Sequence, residues 1–83
     1  MESNNKKEIY VNIILKDGSM LHKAILFKNK QLKRGELLIS YDTKEEVEQV
    51  LNNNKERNIV FSTNHVQGMI SGSCVIESYS IVD

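Results

Sequence analysis

The side chains that could act as nucleophiles or metal ligands are few and lie far apart in the sequence. The chain has two histidines, His22 and His65, and one cysteine, Cys74. Neither histidine has a carboxylate or thiol at ligand spacing, so the sequence predicts no metal site and no cofactor. A single cysteine excludes an internal disulfide, and we expect Cys74 to be a small buried apolar residue.

One polar cluster, Ser62 to His65 (STNH), contains residue types that occur in catalytic sites. It falls where a predicted strand meets a turn, and there Ser, Thr and Asn commonly hydrogen-bond the backbone. The sequence has no Gly-rich phosphate loop, no nucleophile elbow and no carboxylate pair in separable environments. It therefore predicts a protein that is not an enzyme, and a small enzyme or ligand-binding barrel ranks last among the functions considered.

A basic segment, Lys28 to Gly35 (KNKQLKRG), is the strongest candidate for a binding site. Its cations can neutralise nucleic-acid phosphates whatever the base sequence, although no aromatic residue lies between them to stack on bases. The alternative is a solvated connection, with Leu32 tucked inward if the segment forms a turn. The predicted phosphate contacts are Lys28, Lys30, Lys33 and Arg34, with Lys23 in support.

The charged residues are unevenly divided along the chain, although the formal net charge is zero. Residues 1–35 carry eight cations and three anions, a net charge of +5, and residues 36–83 carry the reverse, −5. This asymmetry fits an anionic partner on one side, head-to-tail self-association, or chance clustering on a solvated surface.

The length of 83 residues fits one domain. We expect a polar, disordered tail at residues 1–7 and a single small domain at residues 8–83. Such a domain buries roughly 60–65% of its unfolded surface, so its stability is marginal. Without a disulfide or metal, oligomerisation is the expected support, and we predict a homodimer.

The chain has no apolar run of membrane-spanning length and no signal-peptide core. We therefore expect a cytoplasmic protein with no membrane partner. The heavy use of Asn, Lys and Ile, without proline, is typical of an AT-rich genome.

A β-hairpin is predicted around Asp17-Gly18, where two apolar, β-branched runs flank a dipeptide typical of a two-residue type I′ turn. Its strands would be Glu8–Leu15 and Met20–Phe27. The register then pairs Leu15 with Met20, Ile13 with His22, Val11 with Ala24 and Ile9 with Leu26, and places all eight on one apolar face.

The remaining elements follow from local signals. Thr43-Lys44-Glu45-Glu46 fits a capping box, and the apolar stripe Val47, Val50, Leu51 indicates a helix near residues 43–54 that lies on a sheet or plugs a barrel. Asn52 to Asn54 would end this helix, because Asn tolerates the left-handed conformation. Further strands are predicted at residues 36–41, covered on both faces, and at 58–63, 66–70 and 74–82, with a break or bulge at 71–73.

Together these elements predict a mainly β fold: an antiparallel small barrel or strongly bent sheet of five or six strands with one helix. The alternative is an open α+β sheet with the helix on one face. The last strand has apolar residues on both faces, so we expect it to pair with a partner.

Two stretches resemble a known family. Val11 to Leu32, with Asp17-Gly18 at the turn and Phe27 and Asn29 after the second strand, is similar to the first motif of Sm-like RNA-binding proteins. Val60 to Met69 is similar in layout to the second motif. The resemblance implies a small SH3-like barrel, ring assembly, and binding of uridine- or adenine-rich RNA. It also implies that Asn29 and Lys30 contact the RNA.

The family's pattern is incomplete here. Lys28 stands where the family has Asp, Lys23 or Ala24 where it has Gly, and Ser62-Thr63 or Thr63-Asn64 where it has Arg-Gly. The favoured function is a small non-enzymatic nucleic-acid-binding or regulatory module that contacts the phosphates of RNA or DNA through the basic segment Lys28 to Gly35. The alternative is a protein-interaction or inhibitor module of a bacterial mobile element, a phage or plasmid, acting through a strand edge or the acidic helix face.

Overall fold

The computed structural model describes residues 8–53 and 57–82, so the predicted disordered tail lies outside the described residues. The strands are β1 (Tyr10–Leu15), β2 (Met20–Leu26), β3 (Arg57–Ser62), β4 (Gln67–Gly72) and β5 (Ile76–Val82). A helix, α1 (Lys44–Asn52), precedes β3, and a 3-10 helix (Ser73–Val75) joins β4 to β5. All strand pairs are antiparallel, in the order β4-β3-β2-β1-β5. The predicted mainly β fold with one helix is confirmed.

The turn of the β1–β2 hairpin has three residues, Lys16 to Gly18, and not the predicted two. Gly18 N donates to Leu15 O (2.9 Å), and Leu15 N donates to Ser19 O (2.8 Å). Gly18 has a φ of 93°, whereas a type I′ turn also needs a positive φ at Asp17, which Asp17 does not have. The Asp17 carboxylate instead accepts hydrogen bonds from the Ser19 amide and hydroxyl.

A β-bulge corrects the register that this longer turn displaces. Next to the turn Ile13 pairs with Leu21 and not with His22, yet Val11 still pairs with Ala24 as predicted. The extra residue lies in β2, where Lys23 has a left-handed φ of 53° and its amide donates to Asn12 Oδ1 (2.8 Å). The bulge brings Leu21 to the core side, so the predicted apolar positions of Met20 and His22 are wrong and both are exposed.

Helix α1 closes the core as its sequence predicts. Glu46 N donates to the Thr43 hydroxyl and the Glu46 carboxylate accepts from Thr43 N, each at 3.2 Å, which confirms the capping box. The helix ends at Asn52, and Asn53 is extended and not left-handed. Its apolar stripe packs against residues of β1, β2, β3 and β4. The buried core consists of Val11, Ile13, Ala24, Leu26, Val47, Leu51, Ile59, Phe61 and Ile70.

Two predictions near the sheet are wrong. Residues 36–41 do not form a strand, and their described pairing with the sheet is a single bridge between Phe27 and Ser40. Cys74 is exposed and not buried, because it lies in the 3-10 helix. There Ser73 takes the inward position, and its hydroxyl donates to the Asn53 carbonyl.

Within the described part of the chain, no helix is both long and apolar enough to cross a membrane.

Candidate nucleic-acid interface

The predicted basic segment is part of a longer loop, residues 28–39, whose two ends are held together. Lys28 N donates to Ile39 O at 2.7 Å, next to the bridge between Phe27 and Ser40. These contacts lie directly after the end of β2 and join the first and last residues of the loop. The loop therefore leaves and rejoins the domain at one place. We refer to residues 28–39 as the basic loop.

Asn29 holds the basic loop from inside. Its side-chain nitrogen donates to Leu37 O (3.0 Å), and its side-chain oxygen accepts from Ile39 N (2.8 Å). The amide therefore acts like a peptide group of a neighbouring strand. The predicted RNA contact of Asn29 stays a prediction, and its side chain already has two partners.

Lys33 and Arg34 lie at the exposed turn of the basic loop. Glu36 N donates to Lys33 O at 3.1 Å, and Gly35 has the positive φ (80°) that this turn requires. Both cations are exposed, and neither makes an ion pair within residues 8–53 and 57–82. Their charges are therefore presented together to solvent.

The other predicted cations have different surroundings. Lys28 Nζ lies 3.6 Å from Asp42 Oδ2 and 4.0 Å from Glu46 Oε2, so it is paired with the start of α1. Lys30 is exposed and has an interaction within the chain. Lys23 is exposed at the bulge in β2, outside the basic loop. Lys33 and Arg34 are thus the adjacent pair that the structure leaves most available.

Apolar side chains accompany these cations at the surface. Leu37 is 80% exposed, Ile39 51% and Leu32 40%. The predicted inward position of Leu32 and the predicted two-sided burial of residues 37–39 are therefore wrong. A contiguous apolar run looks the same in the sequence whether it forms a buried strand or an exposed loop such as this one. The sequence therefore could not identify these residues as exposed.

The polar cluster Ser62 to His65 serves the turn between β3 and β4, as predicted. The Thr63 hydroxyl accepts from His65 N (3.3 Å) and Val66 N (3.2 Å), and Thr63 N donates to Val66 O (2.8 Å). Among the described residues, no three His, Cys, Asp or Glu side chains are grouped closely enough to hold a metal ion.

The two histidines, which are distant in sequence, line one surface cleft of about 330 Å³. The sequence did not predict that the two histidines line the same cleft, because this depends on how β2 lies beside the β3–β4 turn. A second, apolar groove of about 470 Å³ lies between the hairpin and β4 and is lined by Leu15, Phe61, Met69 and other residues.

Comparison of the chain with protein-family models, curated proteins and solved structures found no match.

Proposed function

We propose that this protein is a non-enzymatic binding module that contacts the phosphates of RNA or DNA through the basic loop. The observation that carries the proposal is the exposed pair Lys33 and Arg34 on a turn of defined geometry. Two adjacent cations with no carboxylate partner among the described residues can displace the counterions of two phosphates, which supplies sequence-independent affinity.

The basic loop suits this role because its bonds reduce the conformational freedom that binding would remove. Asn29 and the Lys28–Ile39 hydrogen bond hold both ends of the loop before any partner arrives. Ordering a loop on binding costs free energy, so a loop held in advance binds more tightly. We assign Asn29 to holding the loop, and Lys23, Lys28 and Lys30 to supporting contacts.

The resemblance to Sm-like proteins supports the RNA form of the proposal. It rests on the sequence motifs in Val11 to Leu32 and Val60 to Met69.

The test is a fluorescence-anisotropy titration with single-stranded and duplex RNA and DNA at several salt concentrations. In the double variant Lys33→Ser/Arg34→Ser we expect weaker binding to every oligonucleotide. The slope of log affinity against log salt should decrease by about 1.4 on single strands, since each lost phosphate contact contributes roughly 0.7.

The matched control removes two cations elsewhere, Lys16→Ser and Lys44→Ser, so that the net charge changes equally. The control should bind almost as the wild type does. If both double variants lost the same amount of affinity, the loss would be due to the change in net charge and not to the position of Lys33 and Arg34. Absence of binding at micromolar protein and low salt would refute the nucleic-acid proposal.

A protein-interaction module is the second candidate, and the exposed Leu37 and Ile39 favour it. Exposed apolar side chains rimmed by charges are typical of protein contacts. The other surfaces considered for this function are the outer strand β5 and the acidic face of α1 with Glu45 and Glu48. A partner captured by the wild type, lost by Leu37→Ser/Ile39→Ser and retained by Lys33→Ser/Arg34→Ser would support this candidate over the first.

A further inference from the structure

The histidine cleft contains a third side chain that can bind a metal, the thioether of Met20. Met20 and His22 lie two residues apart in β2, so they project from the same face of the strand, with Cα atoms about 7 Å apart. His65 approaches from the β3–β4 turn and lines the same cleft. Three potential ligands from two separate elements therefore line one surface cleft of about 330 Å³.

The backbone explains why this cleft is open. β2 and β3 are hydrogen-bonded through Ile25 with Ser62 and Leu26 with Phe61, near the end of β2. Before that point the bulge at Lys23 bends β2, and after Ser62 the chain turns toward β4. The first half of β2 and the turn thus lie on opposite sides of the gap in which the three ligands lie.

The turn that carries His65 is held by its own hydrogen bonds. The Thr63 hydroxyl accepts from the backbone amides of His65 and Val66, and the Thr63 amide donates to the Val66 carbonyl. These bonds fix the backbone on both sides of His65 and leave its imidazole exposed at the cleft. The backbone from which this ligand projects is therefore held before any ion binds.

The chemistry of the ligand set selects the ion. A thioether is a soft ligand that favours copper(I), and imidazole also binds copper, whereas magnesium and calcium prefer oxygen ligands. No Asp, Glu or Cys is among the described residues that line the cleft. We infer that the cleft binds one copper(I) ion through the Met20 sulfur and one imidazole nitrogen each from His22 and His65.

The test is an anaerobic titration with copper(I), kept reduced by ascorbate, in competition with the chromogenic chelator bicinchoninate. The exposed thiol of Cys74 is itself a copper(I) ligand, so Cys74→Ser is the reference protein. We expect one copper(I) per chain. His22→Gln, His65→Gln and Met20→Leu should each weaken binding by roughly tenfold or more, since even loss of an outer-shell partner costs 10–100-fold.

Met69→Leu is the matched control. Met69 is also an exposed methionine, 47% accessible, but it lines the apolar groove and not the histidine cleft. Copper(I) binding by this variant should equal that of the reference protein. Circular dichroism of each variant shows whether it is folded, so a loss of affinity can be assigned to the missing ligand.

A second measurement identifies the ligands directly. With ¹³C-methyl-labelled methionine, copper(I) should shift the methyl resonance of Met20 and leave that of Met69 in place. The proposal is overturned if the Cys74→Ser protein does not compete with bicinchoninate, or if it binds copper(I) equally well after His22→Gln and His65→Gln are combined.

Discussion

The hairpin turn shows how one carboxylate stabilises a local structure. Hydrogen bonds from the Ser19 hydroxyl and the Ser19 amide lower the pKa of Asp17 from its ordinary value of 3.8. The unfolded chain lacks these bonds and so binds a proton at higher pH than the folded chain does. Their stabilising effect is therefore complete only well above the unfolded pKa of 3.8 and is lost as the pH falls through the folded-state pKa.

We accordingly expect the stability advantage of the wild type over Asp17→Asn to disappear on acidification, from about pH 5 to below about pH 3. Urea denaturation across this range measures the difference. A ¹³C NMR titration of the Asp17 carboxyl group provides the control, because its midpoint should be lower in the wild type than in Ser19→Ala. Identical midpoints would contradict this explanation.

Gly68 is needed for a steric reason. It pairs with Phe61 across β3 and β4, and a Cβ at residue 68 would lie 2.9 Å from Phe61 Cζ and 3.1 Å from Cε2. The Phe61 ring is nearly buried in the core, so it cannot move away without disturbing its neighbours.

Gly68→Ala should therefore lower the free energy of unfolding by about 1–3 kcal/mol, as overpacking does. The same substitution in a Phe61→Leu background should cost less, because the smaller side chain removes the clash. Chemical denaturation of the four proteins gives the coupling energy. An equal cost in both backgrounds would show that ring contact is not the cause.

Some residue-level features leave no trace in the sequence. Asp17-Gly18 correctly located the turn, though not its length, since Gly at a left-handed position is a strong local signal. The left-handed conformation of Lys23 has no such signal, because Lys seldom adopts it. The bulge is set by the longer turn at one end and by the core pairing of Val11 with Ala24 at the other. Neither constraint is local to Lys23.

Among the elements, the basic loop depends most on a single side chain. Asn29 supplies two of its hydrogen bonds, to the backbone of Leu37 and Ile39. A net contribution of about 1 kcal/mol for each bond would make local opening of the loop at least tenfold more frequent without them. The hydrophobic core does not include Asn29, so loss of its side chain should affect the loop alone.

Asn29→Ala should therefore leave the global unfolding transition nearly unchanged but accelerate cleavage by trypsin after Lys30, Lys33 and Arg34 by about tenfold or more. Limited proteolysis followed by mass spectrometry locates and times the cuts. Gln31→Ala, an exposed change in the same loop, is the control and should be cut at the wild-type rate. Equal rates for Asn29→Ala and the wild type would refute the holding role.

Helix α1 and the strands β3, β4 and β5 were predicted to within a few residues, whereas the strand expected at residues 36–41 does not form. Helix α1 could be predicted because its capping box and apolar stripe lie within nine residues of one another. Residues 36–41 could not, because an apolar run becomes a strand only where a neighbouring strand has free backbone groups. Here the Asn29 side chain hydrogen-bonds the backbone carbonyl of Leu37 and the backbone amide of Ile39.

At the scale of the whole molecule, the fold leaves two sheet edges and several apolar side chains without cover from described residues. β4 and β5 are the outer strands of the described sheet. Chains of this length bury a modest share of their surface, and an outer strand can recruit a second copy through its free backbone groups. The last strand, Ile76–Val82, still carries the prediction of a homodimer.

We expect the wild type to sediment as a dimer at micromolar concentration, with β5 at the interface. Ser80→Lys places a charge on an exposed position of β5 and should shift the protein to monomer, because lysine on an outer strand opposes edge pairing. Ser71→Lys, the same change on an exposed position of β4, is the control and should leave the dimer intact. Sedimentation equilibrium of the three proteins separates the outcomes. Dissociation by Ser71→Lys alone would move the interface to β4, and a monomeric wild type at high concentration would show that the core of this small sheet is sufficient by itself.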